Sequence, residues 1–185
     1  MAEYEKFINY FGYGANRDRR MMEWITGDTS LVGQSAVLKG FKLVVQGLDQ
    51  VPDSIFPTAP APFSPRQLLQ ESWTTDFESY TISPDPEGEV VGTLWRLSRL
   101  NRDLVREWEL VDFGWYQDLR GVVITEDGKE AEIETEGLRA NQEYDRQVDG
   151  HHYETWLNSP EEFARVAEKS RKEFFDRLAK NEEDS

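Results

Sequence analysis

The chain has 185 residues, 38% of them hydrophobic and 12% aromatic, which suits one domain with its own core, and no apolar run approaches the roughly 20 residues a membrane helix needs. Its net charge of -15 repels phosphate backbones and argues against nucleic acid as a partner; Arg17, Arg19 and Arg20 are the one basic cluster, too small to reverse that field. Cysteine is absent, which excludes disulfides, thiolate metal sites and cysteine nucleophiles, and the N-terminal MAEYEKF lacks the basic and apolar regions of a signal peptide, so the expectation is a soluble cytoplasmic protein with no membrane partner.

Phe7 to Tyr13 is rich in aromatic and branched residues and reads as a strand. Asp18 to Ile25 carries Met21, Met22 and Ile25 at near-helical spacing, so the glycine turn between them joins strand to helix, with Asn16 as a candidate N-cap. Val37 to Gln46 (VLKGFKLVVQ) reads as one or two strands interrupted by Gly40. Asp49 to Pro65 holds five of the eight prolines and forms neither helix nor central strand; with a short helix over Pro65 to Glu71 it makes a long surface segment, the Pro-rich stretch 49–75.

YTISPDPEGEVVGTLWRLS, from Tyr80, suggests strand, turn at Pro84 to Gly88, and strand, and Leu100 to Trp108 fits a short helix. Tyr116 to Thr125 and Lys129 to Glu136 flank the hairpin signal Asp127-Gly128. In the second arm Glu130, Glu132, Glu134 and Glu136 share a face and are expected in solvent. Ser159-Pro160-Glu161-Glu162 then starts an amphipathic helix with an apolar stripe of Phe163, Val166, Ala167, Phe174 and Leu178 and with i,i+4 pairs Glu161/Arg165, Glu168/Lys172 and Glu173/Arg177. The pattern predicts a single α+β domain over residues 1–180 with a strongly curved, mixed or antiparallel sheet, and a solvated acidic tail over 181–185.

Several chemistries are disfavoured by spacing. Gly12-Tyr13-Gly14 starts like a dinucleotide fingerprint, but Arg17 stands at the third glycine position and no regular βαβ unit follows. No glycine-rich stretch ends in Gly-Lys-Ser/Thr, and the adjacent His151 and His152 make a poor metal pair, so no metal is expected. No GxSxG elbow supports a serine triad. What the glycine turn does offer is close approach, positive φ and the free N–H groups of a helix start, an arrangement suited to a carboxylate.

Tyr10 to Asn16 (YFGYGAN), Glu89 to Leu97 (EVVGTLWRL) and Arg106 to Tyr116 (REWELVDFGWY) together resemble, in order, three marker segments of the gamma-glutamylcyclotransferase-like family. The resemblance spans roughly Phe7 to Thr135 and implies a small barrel-like sheet with flanking helices. It also implies a reaction: the α-amine of a γ-glutamyl group attacks its own γ-carbonyl, giving 5-oxoproline and a free amine, without a cofactor. By the spacing to Gly114 and Tyr116, Glu109 rather than Glu107 matches the catalytic glutamate. Tyr13, Gly14, Ala15, Asn16 and Tyr116 match substrate-binding positions. Ala15 replaces the usual serine, Leu110 stands where a glycine often follows the glutamate, and Phe174 or Phe175 falls where some members use a tyrosine. The partner implied is a small γ-glutamyl molecule; the alternative is a catalytically silent domain that binds a small carboxylate or a partner. The segment Asp49 to Glu71, with Phe56, Phe63, Leu68 and Leu69, is open to three readings: an apolar lid, a surface excursion or the cover of a homodimer interface.

Overall fold

The computed structural model describes residues 6–74 and 76–185; residues 1–5, most of the N-terminal stretch read above, and Thr75, the last residue of the Pro-rich segment, lie outside it. In chain order the elements are β1 (Ile8–Gly12), α1 (Arg19–Thr26), β2 (Val32–Gly47), α2 (Pro65–Ser72), β3 (Glu78–Leu97), α3 (Arg99–Trp108), β4 (Gln117–Thr125), β5 (Glu130–Gly137), β6 (Arg146–Val148) and α4 (Pro160–Glu183). The strands run β3-β1-β5-β4-β2, and β2 pairs back onto β3, so five of them close a ring; β6 adds to β2. Closure removes the sheet edges that would otherwise invite aggregation. All pairings are antiparallel except β1 with β5, which makes this an α+β fold around a mixed barrel.

Strand alternation fills the barrel. Phe11, Leu38, Ile82, Val123 and Ile133, one from each of the five ring strands, meet in a single buried cluster. The opposite faces of β1 and β3 present Tyr10, Trp95 and Leu97 to a second cluster, which α1, α3 and α4 cover with Met21, Met22, Leu104, Val105, Phe163 and Val166. Each fully buried side chain of this size stabilises the fold by roughly 1.5–3 kcal/mol.

Local chemistry explains where the helices begin. Asp18 accepts from the backbone N–H groups of Arg20 and Met21 and is the N-cap of α1, which frees Asn16 from the capping role expected of it. Ser64 and Gln67 form a capping box at α2, and Ser98 and Ser159 cap α3 and α4. Among the described residues no helix is long and apolar enough to cross a membrane.

Five expectations are corrected. Pro84 to Gly88 does not reverse the chain: it lies within the continuous 20-residue β3, opposite the register shift between Lys39 and Phe41 of the equally continuous β2. Glu136 is not in solvent but 1% exposed, because the fully buried Arg102 of α3 is set against it. On α4 only the first turns are buried; Leu178 is 42% exposed, and the helix continues to Glu183 through the start of the expected tail. Its cations are spent differently too: Lys169 pairs with Glu173, Lys172 with Asp176, and Arg177 crosses to Glu107.

Candidate functional site

β1 ends in the glycine turn, and a short 3-10 turn over Gly14–Arg17 carries the chain on to α1. Gly14 sits at φ 58°, and a Cβ on it would stand 2.9 Å from the Tyr80 ring. Gly12 is demanded by proximity instead: a Cβ there would lie 2.3 Å from the Asn16 carbonyl oxygen. The same carbonyl accepts from Trp95 Nε1 at 2.9 Å, the Arg17 carbonyl accepts from Thr93 Oγ1 at 2.8 Å, and the Tyr13 hydroxyl donates to the Glu136 carbonyl at 2.7 Å. The turn is thus fastened to β3 and β5 and has no room to relax. Gly12→Ala is expected to cost roughly 2–3 kcal/mol in urea unfolding, the usual penalty of forcing an atom into a packed site; an unchanged midpoint would contradict the packing described.

Glu109 follows directly on α3, whose end it caps, and Leu110 then takes φ 49°, a left-handed conformation that a glycine adopts without strain. This kink lets the Leu110 carbonyl accept from both Phe113 and Trp115 and turns the chain toward β4. It also brings the Glu109 carboxylate to the glycine turn, where its Oε1 accepts from Asn16 Nδ2 at 2.7 Å.

The orientation of the Asn16 amide follows from a chain of donors and acceptors. Arg102, fully buried, lies 2.9 Å from Glu136 Oε2 and 3.2 and 3.3 Å from Asp118 and Glu134. The Tyr10 hydroxyl donates to Glu136 Oε1 at 2.7 Å, so its oxygen is left to accept, and Asn16 Nδ2 donates to it at 3.0 Å. The second amide hydrogen points to Glu109. Four buried side chains, Arg102, Glu136, Tyr10 and Asn16, therefore present the Glu109 carboxylate with a fixed donor and leave its other oxygen without a partner among the described residues.

Burial pushes the Glu109 carboxyl up to about 8; the nearby Glu136 charge pushes the same way, while the Asn16 hydrogen bond and Arg102 pull it back. Burial also raises Glu136, with Arg102 and the Tyr10 hydroxyl opposing. Tyr10, Tyr13 and Tyr116 are all raised, chiefly by burial, and stay protonated donors.

Tyr13, Gly14, Ala15, Asn16 and Glu109 line one cavity of about 430 Å³. Tyr116 does not reach it: the ring is wholly buried, stacked on Trp115 at 4.0 Å between centroids, with its hydroxyl 3.3 Å from Ser79 Oγ. In the turn the Gly14 N–H donates to the Tyr153 hydroxyl and the Asn16 N–H to the Tyr13 carbonyl, while the Ala15 N–H has no partner among the described residues. Phe174 packs against the helical core and Phe175 is 42% exposed; neither lines the cavity. Glu107 does line it, paired with Arg177 at 2.5 Å. The sequence reading missed Tyr10, Arg102 and Glu136; the odd signal was an arginine on the apolar side of a short helix. His151 is exposed and sits 3.0 Å from Glu89, and no group of metal-ligating side chains occurs among the described residues.

No family model matches this chain, and no curated protein does. Among solved structures, one named gamma-glutamyl cyclotransferase is similar over 91% of this chain and 80% of its own, at 21% identity and a TM-score of 0.57. An uncharacterized protein from Homo sapiens is similar over 95% of this chain and 88% of its own, at 22% identity and a TM-score of 0.57. YkqA from Bacillus subtilis matches over 97% of this chain and 55% of its own, at 17% identity and a TM-score of 0.50. The closed mixed barrel with its flanking helices has the gamma-glutamylcyclotransferase-like fold.

Proposed function

We propose that the protein is a cofactor-independent γ-glutamyl cyclotransferase with Glu109 as its acid and base. The observation that carries this reading is the Asn16–Glu109 hydrogen bond, which joins the glycine turn to a desolvated carboxylate inside one cavity.

The glutamyl chain must curl so that its α-nitrogen reaches its own γ-carbonyl, and a cavity that holds the chain in that shape supplies the near-attack conformer. Glu109, ionised, takes a proton from the α-ammonium, and the freed nitrogen lone pair attacks the γ-carbon. The oxygen of the tetrahedral intermediate accepts from a fixed donor, for which the unpartnered Ala15 N–H is the candidate. Collapse breaks the bond to the leaving nitrogen as Glu109 returns the proton to it, and the second proton, shed by the ring nitrogen, passes through the same carboxylate to the released amine, which leaves as its ammonium. The products are 5-oxoproline and a free amine, with Glu109 restored.

A carboxyl near 8 in the free protein sets the pH dependence. The ionised form is the active base, so kcat/KM is expected to rise with pH through about 8. The bound α-ammonium, a positive charge beside Glu109, favours ionisation, so the rising limb of kcat is expected at lower pH than that of kcat/KM. The test of the function is 5-oxoproline release from a panel of γ-glutamyl amino acids, γ-glutamyl amines and glutathione. No release from any member, together with saturable binding of 5-oxoproline, would favour the silent small-carboxylate binding domain instead.

A further inference from the structure

The cavity extends well beyond the glycine turn. Its volume of about 430 Å³ lies in the roughly 300–1,000 Å³ range of pockets for drug-sized ligands, more than a glutamyl head group needs. The additional space is bounded by α2 and the loop before it, by the segment after α3, and by the inner face of α4.

Its walls are aromatic and aliphatic: Phe63, Leu68, Trp73, Trp108, Phe113 and Phe163 all line it. Phe63 is 40% exposed, a large apolar side chain left uncovered at the edge of a cavity. Phe56, by contrast, is drawn away from this role; its ring stands 2.6 Å from where a Cβ on Gly114 would be, beneath the Arg139 guanidinium.

Charged residues also line the cavity, most of them held in ion pairs with one another or with cations just outside it. Arg177 pairs with Glu107 at 2.5 Å, Asp176 with Lys172 at 2.8 Å and Glu78 with Arg146 at 2.7 Å. Lys169 lies between Ser72 Oγ at 2.9 Å and Glu173 at 3.8 Å. Lys180 is the one lining cation without an ion pair among the described residues, and Glu71 the matching lining anion outside the glycine-turn end. A second carboxylate on the substrate, as in a γ-glutamyl amino acid or glutathione, would find Arg177 and Lys169 already engaged and only Lys180 left to meet it, in a cavity lined by six carboxylate side chains against three cations. An uncharged ring or chain would instead remove Phe63, Leu68 and their neighbours from water.

Resting on the cyclotransferase reading, we propose that the amine released here has an uncharged, apolar body of about the size of an aromatic ring. The substrate class is then the γ-glutamyl amides of arylalkyl or alkyl amines, in place of γ-glutamyl amino acids. The cyclisation is unchanged: the amide C–N bond breaks, the lactam C–N bond forms, and the amine leaves with the proton from Glu109.

The experiment compares kcat/KM for γ-glutamyl-phenethylamide, γ-glutamylalanine and the cationic γ-glutamyl-1,4-diaminobutane. The phenethylamide is expected to be favoured over γ-glutamylalanine by at least about 10-fold, the discrimination available to an apolar pocket. Phe63→Ala is expected to narrow that ratio several-fold. Release with γ-glutamylalanine or the diaminobutane derivative equal or better would overturn the proposal while leaving the cyclotransferase reading intact. No release from any compound would count against the cyclotransferase reading itself. In that case binding of the same three compounds to the Glu109→Gln variant, read from tryptophan fluorescence, decides the pocket: a Kd for the phenethylamide at least about 10-fold below the others supports it, and equal values overturn it.

Discussion

Glu109→Gln is expected to lower 5-oxoproline release roughly 10³-fold or more, because one side chain is asked to take the proton from the attacking nitrogen and return it to the leaving one, and general acid–base catalysis contributes about 10²–10⁴. The same variant is expected to be more stable than the native protein at pH 8.5. The Glu109 carboxyl stands at about 8 in the folded chain, against an ordinary 4.5. Between those values the folded state holds a proton that the unfolded state has released, so native stability falls as pH rises from about 4.5 to about 8. Glutamine keeps an acceptor for Asn16 Nδ2 and has no charge to desolvate. The gain is on the order of a few kcal/mol above pH 8 and shrinks toward zero near pH 5, at roughly 2–4 °C of melting temperature per kcal/mol for a chain of this size. Thermal melts at the two pH values check the stability half. A variant that keeps its rate, or whose stabilisation is the same at both pH values, would count against Glu109 as the buried base.

Arg102→Met is expected to destabilise the fold by roughly 3–5 kcal/mol at pH 8, the cost of stranding one partner of a buried ion pair. Arg102 is fully buried and faces Glu136, itself 1% exposed, with Glu134 and Asp118 at the rim of the same contact. Removing the cation leaves Glu136 two choices: remain ionised without a counter-charge, or take up a proton. The second becomes easier as pH falls, so the loss should be smaller at pH 5. The double variant Arg102→Met with Glu136→Gln should recover most of the stability, since it deletes the charge as well as its partner. Urea unfolding of the native protein and the two variants at both pH values measures this directly. A single-variant loss below about 1 kcal/mol, or one that glutamine at 136 does not repair, would show that the pair does not support this end of the barrel.

How much of this was readable beforehand depended on whether the signal was local. The caps at Ser64 and Ser159 lie in the same few residues as the groups they bond, and both helices begin where the sequence indicates. The glycine turn was legible for the same reason. Glu136 was not: its alternation with Ile133 and Thr135 is sound, but a period of two says nothing about which neighbouring element will land on the polar face. Here α3 does, carrying Arg102. Asn16 looked like an N-cap because Asn is a good one, and only tertiary structure shows that Asp18 takes that position while Asn16 serves Glu109. Prolines in Pro84 to Gly88 suggested a reversal, yet a long two-stranded ribbon absorbs them as an irregularity where its register already shifts. Tyr116 was named through the family resemblance, as the end of its third marker segment; in three dimensions the stack on Trp115 takes its ring out of the cavity.

The position of β1 in the ring bears on how the protein is made. Its partners are far along the chain: Tyr10 lies opposite Trp95 on one side and Glu134 on the other. The β2–β3 ribbon and the β4–β5 hairpin join segments much nearer in sequence, so they pay less loop-closure entropy and can pair first. During translation β1, INYFG, emerges ahead of both its neighbours; it has no partner strand until β3 has been synthesised, and its other edge stays open until β5 follows. Inserting it completes the ring and delivers the glycine turn to Glu109 in one event. The element that carries half of the site is therefore also the keystone of the barrel, and the interval before it is seated is when the nascent chain is most exposed to misassociation.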